Sequence, residues 1–418
     1  MMLVIDTAFL GRVSEITLGA AAIGGVFYLC MVMFGTGFSI GAQIMIGRRN
    51  GQGKLKDIGQ IFDTSIGVLL LIVFLLWLFL QYPGPKLLTY IINSEAVLEE
   101  SLKFINFRKY GLLFGFLVLG FNALYVGNTQ TQVLSLSTLV MASINIVLDY
   151  ILIFGKYGFP EMGISGAALA TNIAEFVTFL FYVFWVLKTN DVRKYSLFQF
   201  RIPHIDLLKR LLSVSVPVMF QYFFSFAAWF VFFLIIEQIG ETALAASNIT
   251  RSIYMVLMIP VWGLSAAVNT MVSNTIGNNK PEWVLPIITK VFFTGLICNV
   301  LLVQVLVFMP LPIIRFYTQD PGLIEATLPL LKVISVALIA FSFGMILFNG
   351  LSGTGKTLLA LKIEIFSITL YLIATLFIAI VLQATVEVVW LVEILYFSLM
   401  GLFAFWALKR GKWKELDL

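Results

Sequence analysis

Apolar stretches of about twenty residues, separated by short polar breaks, run the whole length of the chain, and that alternation decides most of what it can become. A hydrocarbon core about 30 Å thick takes roughly 20 apolar residues per helical span. Runs of that kind lie at 1–11, 16–46, 58–82, 102–127, 131–155 and 162–187, then at 209–238, 243–273, 284–310, 328–352, 356–381 and 386–408. Lipid offers backbone groups no hydrogen-bond partner, so each run reads as a helix. Six runs precede the longest stretch of mixed polarity, KTNDVRKYSLFQFRIPHIDLLK from Lys188 to Lys209, and six follow it. Of the 418 residues 60% are apolar and 12% charged, whereas a soluble domain carries about 25% charged residues. The mean hydropathy is +0.99. A soluble enzyme, a disordered chain and a secreted disulfide scaffold are excluded. The expected architecture is an all-α membrane protein of twelve transmembrane helices: an N-lobe over 1–188, a linker over 189–208, a C-lobe over 209–409 and a tail over 410–418.

Charge has to be read loop by loop in such a chain. The 27 basic and 22 acidic residues leave +5, with no basic face interleaved with aromatics, so nucleic acid is not an expected partner. Arg48, Arg49, Lys54, Lys56, Lys188, Arg193, Lys194, Arg201, Lys209, Arg210, Lys280, Lys356, Lys409, Arg410, Lys412 and Lys414 gather on one side of the layout; Arg12, Lys86, Lys103, Lys156 and Arg315 fall on the other. The positive-inside rule places the linker and both termini in the cytoplasm. The N-terminus lacks the basic region of a signal peptide. Cys30 and Cys298 sit inside apolar runs without disulfide or zinc spacing.

The chain repeats itself. Residues 15–54 align without a gap onto 241–280 at an offset of 226, with identical pairs such as Glu15/Glu241, Leu18/Leu244, Tyr28/Tyr254, Gly37/Gly263, Ser39/Ser265 and Gly51/Gly277. FNALYVGNTQT, from Phe121, is echoed by FNGLSGTGKT, from Phe348. Six spans separate equivalent points, so the two six-helix lobes share one orientation and are expected to be related by a pseudo-twofold axis along the membrane normal. Such parallel repeats place substrate between the lobes, near the midplane.

Ionisable residues inside the membrane are functional candidates by default, since a lone charge at mid-depth costs at least ~2.5–3.5 kcal/mol. Asp6, Asp149, Glu175, Arg251 and Glu364 read as deep; Asp63, Arg108, Lys109, Lys332 and Glu393 lie nearer span ends, where they can snorkel or cap. Asp6 and Asp149 have Phe232 and Leu376 at their repeat positions, so symmetric packing does not require them. Asn145 and Asp149 are four apart and share a helix face, where an amide oxygen and a carboxylate can converge on one ion. If Asp6 faces them, two carboxylates crowd one low-dielectric pocket, and such a pocket holds a proton or a small hard cation. Arg251 reads as a rim residue near Glu237 and Glu241. No partner for Glu175 or Glu364 is visible. Phe114, Phe121, Tyr222 and Trp229 are candidates for an apolar cavity suited to amphipathic cations. GLSGTGKT, Gly350 to Thr357, matches the P-loop pattern in full, but apolar helices flank it where a buried strand should precede, so nucleotide binding is not expected. His204, the only histidine, lies in the linker, and no cofactor is expected.

DTAFLGRVSEITLGAAAIGG, GFSIGAQIMIGRRNGQG, GNTQT, NIVLDYILIFGKYGFPEMGISGAALAT and NGLSGTGKT together resemble the multidrug and toxic compound extrusion (MATE) transporters over nearly the whole chain. The resemblance implies a twelve-helix, two-lobed antiporter that exchanges a cytoplasmic organic molecule for H⁺ or Na⁺. It assigns a cation site in the N-lobe to Asp6, Asn145 and Asp149, with Thr171 beside them. QYFFSF has Ser225 where some branches carry an acid, and the tenth span has no acid either, so a C-lobe cation site is not expected and coupling resembles that of the DinF-like branch.

The expectation is a monomeric inner-membrane antiporter for amphipathic cationic compounds. The alternatives are a lipid-linked oligosaccharide flippase, with Arg251 toward the pyrophosphate, and, more remotely, a membrane ATPase using Lys356. Only five residues precede Asp6, about 7.5 Å of helix, so about 18 further residues are expected ahead of Met1 by symmetry with the second half.

Overall fold

The structure is a computed structural model, and it describes residues 9–10, 13–92, 94–201, 204–411 and 413. Of the first expected span, 1–11, only Phe9 and Leu10 are described, both helical; the rest, Asp6 included, lies outside the described residues. No strand occurs among the described residues, and eleven helices are long and apolar enough to cross a membrane. They match the remaining eleven expected spans.

The chain divides into two compact units, Met1–Met219 and Phe220–Leu418. Unit 1 contains α1 (Glu15–Gly51), α2 (Leu55–Gln81), α3 (Pro83–Ile91), α4 (Glu95–Gly127), α5 (Thr131–Ile153), α6 (Gly163–Lys188), the short α7 (Asp191–Tyr195) and the first part of α8 (Ile205–Glu237). Unit 2 contains the rest of α8, then α9 (Glu241–Gly277), α10 (Val284–Phe308), α11 (Pro310–Tyr317), α12 (Pro321–Gly353), α13 (Thr357–Leu376), α14 (Val386–Trp390) and α15 (Val392–Arg410). The division falls inside α8, beyond the 189–208 linker. Glycine explains it: a Cβ on Gly41 of α1 would lie 2.4 Å from the Ser215 Cα, and one on Gly37 2.5 Å from the Met219 Cα. Two bare glycines one turn apart let α1 and the start of α8 touch backbone to backbone, the small-residue packing that holds helices together in lipid.

The repeat is structural as well as sequential. α1 and α9, and α4 and α12, begin and end at an offset of 226, and α5 and α13 begin at it. The short helices α3 and α11, which hydropathy does not single out, are counterparts too; each follows a long span and opens on proline, the residue suited to a first helical turn. Within each unit one long helix is central: α4 packs on α1, α2 and α6, and α12 on α9, α10 and α15. Their N-caps are also counterparts, Ser94 accepting from the Val97 amide and Asp320 from the Leu323 amide at 2.8 Å.

Candidate cation site and the buried acids

In unit 1, α5 brings Asn145 and Asp149 to one face, and both are fully buried. Gly166 of α6 permits the closeness, since a Cβ there would sit 2.7 Å from the Leu152 carbonyl. The Asn145 amide donates to the Thr171 hydroxyl at 3.3 Å, and that hydroxyl donates to the Ala167 carbonyl at 3.0 Å. The Asn145 side-chain oxygen is buried and accepts no hydrogen bond among the described residues. Asn145, Asp149 and Thr171 are thus brought to one place, an oxygen-rich point inside an apolar unit, chemistry suited to a proton or a hard cation. Asp6, the fourth expected member, lies outside the described residues.

Two other charged residues of unit 1 answer each other. Arg108 of α4 grips Glu175 of α6 with both guanidinium nitrogens, at 2.9 and 3.1 Å, and donates to the Asn172 side chain at 2.5 Å. Its guanidinium lies 4.3 Å from the centre of the Tyr28 ring. Arg108 therefore does not snorkel, and Glu175 has the partner that was not visible in sequence. Lys109 is buried as well, donating to Gln81 and Asn106. Asp63 caps, as its position near a span end allows: its carboxylate accepts from the backbone amides of Phe198, Gln199 and Phe200 at 2.9, 2.7 and 3.0 Å. Ser196, Phe198 and Phe200 all have left-handed backbone angles, so this carboxylate holds a strained segment in place. Nearby, the Tyr195 hydroxyl, to which Gln130 donates, raises the pKa of Lys194 by hydrogen bonding to its ammonium.

Unit 2 holds two buried acids, Glu364, which the sequence reads as deep, and Glu393, which it reads as lying near a span end. Glu364 of α13 is buried, and its Oε1 accepts from the Ser225 hydroxyl and, at 2.6 Å, from the Tyr396 hydroxyl. Glu393 of α15 is 3% exposed, which corrects the expectation that it snorkels; the Tyr371 hydroxyl donates to it at 2.9 Å. A signal was present in the spacing: Tyr371 lies two turns beyond Glu364, and Tyr396 one turn beyond Glu393, each on its acid's own helix face. Arg251 forms no ion pair with Glu237 or Glu241, and instead lies 4.7 Å over the Phe233 ring.

The four cavity candidates are not gathered in either unit. Phe121 is buried in unit 1, stacked on Tyr182 with centroids 5.2 Å apart, and half-buried Phe114 packs edge-on against Phe176. Tyr222 and Trp229 belong to unit 2, both half-buried, Trp229 meeting Phe233 edge-on at 5.6 Å. The P-loop pattern is a helix end: Gly350–Gly353 closes α12, and a Cβ on Gly353 would lie 2.3 Å from the Asn269 carbonyl oxygen. Gly350 and Gly353 serve helix packing, and Gly355, with φ +90°, turns the chain toward α13.

The MatE family model matches residues 1–151 and 217–378. A probable multidrug resistance protein NorM of Thermotoga maritima is 29% identical over 87% of this chain and 78% of its own. The multidrug resistance protein MdtK of Photorhabdus laumondii is 26% identical over 77% of this chain and 70% of its own. An outward-facing multidrug resistance MATE family transporter of the MOP superfamily matches the fold with a TM-score of 0.90, covering 98% of this chain and 91% of that one at 18% identity. A MOP superfamily transporter from Pyrococcus furiosus gives 0.89 with the same coverage and identity. The chain belongs to the MatE family of multi-pass membrane transporters, which are not enzymes.

Proposed function

We propose that this transporter is a secondary antiporter exporting amphipathic, cationic organic molecules in exchange for inward H⁺ or Na⁺, with Asp149 as its coupling acid and Asn145, Thr171 and Asp6 as its companions. The observation that carries this reading is the burial of the Asp149 carboxyl one helical turn from the Asn145–Thr171 pair, at a position whose repeat counterpart carries no acid. A carboxyl so placed changes its environment's charge by one whenever it gains or loses a cation, and that is what a gradient needs in order to bias two conformations. Relatives named for multidrug resistance support the substrate class. The orientation proposed, with both termini cytoplasmic in the inner membrane, accords with the distribution of basic residues; the transporter is proposed to act as a monomer.

The test is export of a fluorescent organic cation in ATP-depleted vesicles under an imposed pH or Na⁺ gradient, each applied alone. Export driven by one of them, and lost in Asp149→Asn, supports the reading. Export that requires ATP, or that Asp149→Asn leaves unchanged, overturns it.

A further inference from the structure

The acids of unit 2 are arranged reciprocally. Glu364 on α13 takes the phenol of Tyr396 on α15, and Glu393 on α15 takes the phenol of Tyr371 on α13. Between the two acid–phenol pairs the rings of Tyr371 and Tyr396 lie against each other, with centroids 5.3 Å apart. Both carboxyls are buried, and neither has an ion-pair partner; the salt bridges among the described residues belong to Lys103 and Arg108. Two oxygens in this place are left over. The Glu364 Oε2 and the Ser367 hydroxyl, three residues apart and so on one face of α13, are buried with no hydrogen-bond partner among the described residues. A third, the Tyr254 hydroxyl of α9, is likewise unpartnered and within electrostatic reach of Glu393.

An ionised carboxylate here would be charge buried in an apolar interior without a base to answer it, whereas a carboxylic acid is neutral. We propose that Glu364 and Glu393 form a proton-carrying pair in unit 2, separate from the Asp149 site. Each holds a proton as a carboxylic acid. Each releases it to water by breaking its own O–H bond when the surroundings open, the opposite phenol's hydrogen bond sustaining the carboxylate until a proton returns. The groups facing Glu364 are Ser225 and Tyr222 of α8 and Tyr396 of α15. Those facing Glu393 are Tyr371 of α13 and Tyr254 of α9, while Tyr396 feels both acids. All are neutral phenols or a hydroxyl; the nearest base on α9 to have been a candidate, Arg251, is given to the Phe233 ring. The ligand is a proton and not a metal ion because each acid presents one oxygen already bound by O–H donors, and no cluster of three or more His, Cys, Asp and Glu stands beside them among the described residues.

The role in a transport cycle rests on the antiport reading, but proton occupancy does not, and the experiment separates them. Infrared difference spectra of the full chain in lipid, recorded from acid to alkaline pH, report the carbonyl stretch of protonated carboxylic acids directly. Two such bands that titrate, one missing in Glu364→Gln and the other in Glu393→Gln, are the expected result. Tyr396→Phe should keep the first band but shift its frequency, and Tyr371→Phe the second. Both bands should persist in Asp149→Asn, which stops export without touching this pair. In vesicles, each Gln variant should flatten the pH profile of export. If neither Gln variant removes a protonated-acid band, the pair does not hold protons and the proposal fails. If the bands are present but do not titrate and the export profile is unchanged, the pair is structural and the proposal fails equally. Titrating bands in a protein that ignores both gradients would sink the antiport reading and leave the proton pair standing.

Discussion

The two units are built on one plan and charged on another. α4 and α12 share boundaries, caps and central position, yet Arg108 of α4 has Ile334 at the same place in α12, fully buried. α5 and α13 begin at equivalent threonines; α5 carries its acid near its C-terminal end, as Asp149, and α13 about two turns from its start, as Glu364. At the offset of 226 at which α5 and α13 begin, the counterpart of Asp149 is the buried Thr375, one residue short of the expected Leu376, and the counterpart of Glu364 is Thr138, on an exposed surface. Even the conserved tyrosine of the repeat is used differently, Tyr28 under a guanidinium and Tyr254 beside a carboxyl. Helix-to-helix shape depends on many small contacts and survived duplication. An ionisable group depends on one or two partners and could be placed anew in each half.

The largest effect that would sharpen this contrast is functional. Asp149→Asn should abolish gradient-driven export while leaving yield and unfolding temperature near those of the parent, because removing a buried charge costs the fold little. Thr375→Ala, at the counterpart position, should leave export intact; loss of export there would mean that the two positions are not functionally distinct.

Next is the ion pair that only unit 1 has. Arg108→Ala strands Glu175 and should cost about 3–5 kcal/mol of stability, read as a fall in the unfolding midpoint in detergent. Replacing both residues by methionine should recover most of that loss, showing that unit 1 tolerates the apolar solution unit 2 already uses. A double variant no better than Arg108→Ala would contradict it.

Smaller is the effect at Asp63. Asp63→Ala removes a charged acceptor shared by three backbone amides, about 1.5–3 kcal/mol, and should make the 196–200 segment more readily cut by protease. Unchanged cleavage would show that the segment is held by something else.

The smallest effect concerns the matched glycines that end α4 and α12. At Gly353 a Cβ would lie 2.3 Å from backbone, at Asn269, whereas at Gly127 it meets the Ile46 side chain first, at 2.6 Å, with backbone at 3.1 Å. Gly353→Ala should cost about 1–3 kcal/mol. Gly127→Ala should be near neutral, since Ile46 can shift and alanine gains up to ~1 kcal/mol of helix propensity. Equal losses at both positions would mean the two contacts are tighter copies than their geometry indicates.

What could be read from the residues alone was the part that each residue carries by itself. Apolar runs long enough to span a bilayer located the helices, and eleven spans fall where hydropathy put them, because in lipid a continuous apolar run of about twenty residues satisfies its own backbone as a helix. The offset of 226 announced the duplication, and the four-residue spacing in NIVLD put Asn145 and Asp149 on one face. Partnership was not legible in the same way. That Glu175 belongs to Arg108, that Glu393 is buried although near a span end, that Ser225 marks an acid's neighbour and not a missing acid, and that the short helices α3 and α11 exist, all depend on which helices approach and how closely. Those approaches are set by glycines such as Gly41, Gly166 and Gly353 meeting a particular backbone, contacts between residues far apart in the chain. Hydropathy sums over a window and periodicity over a turn. The energy of a buried charge is decided by the few atoms within hydrogen-bond reach, and only the packed tertiary structure brings those atoms together.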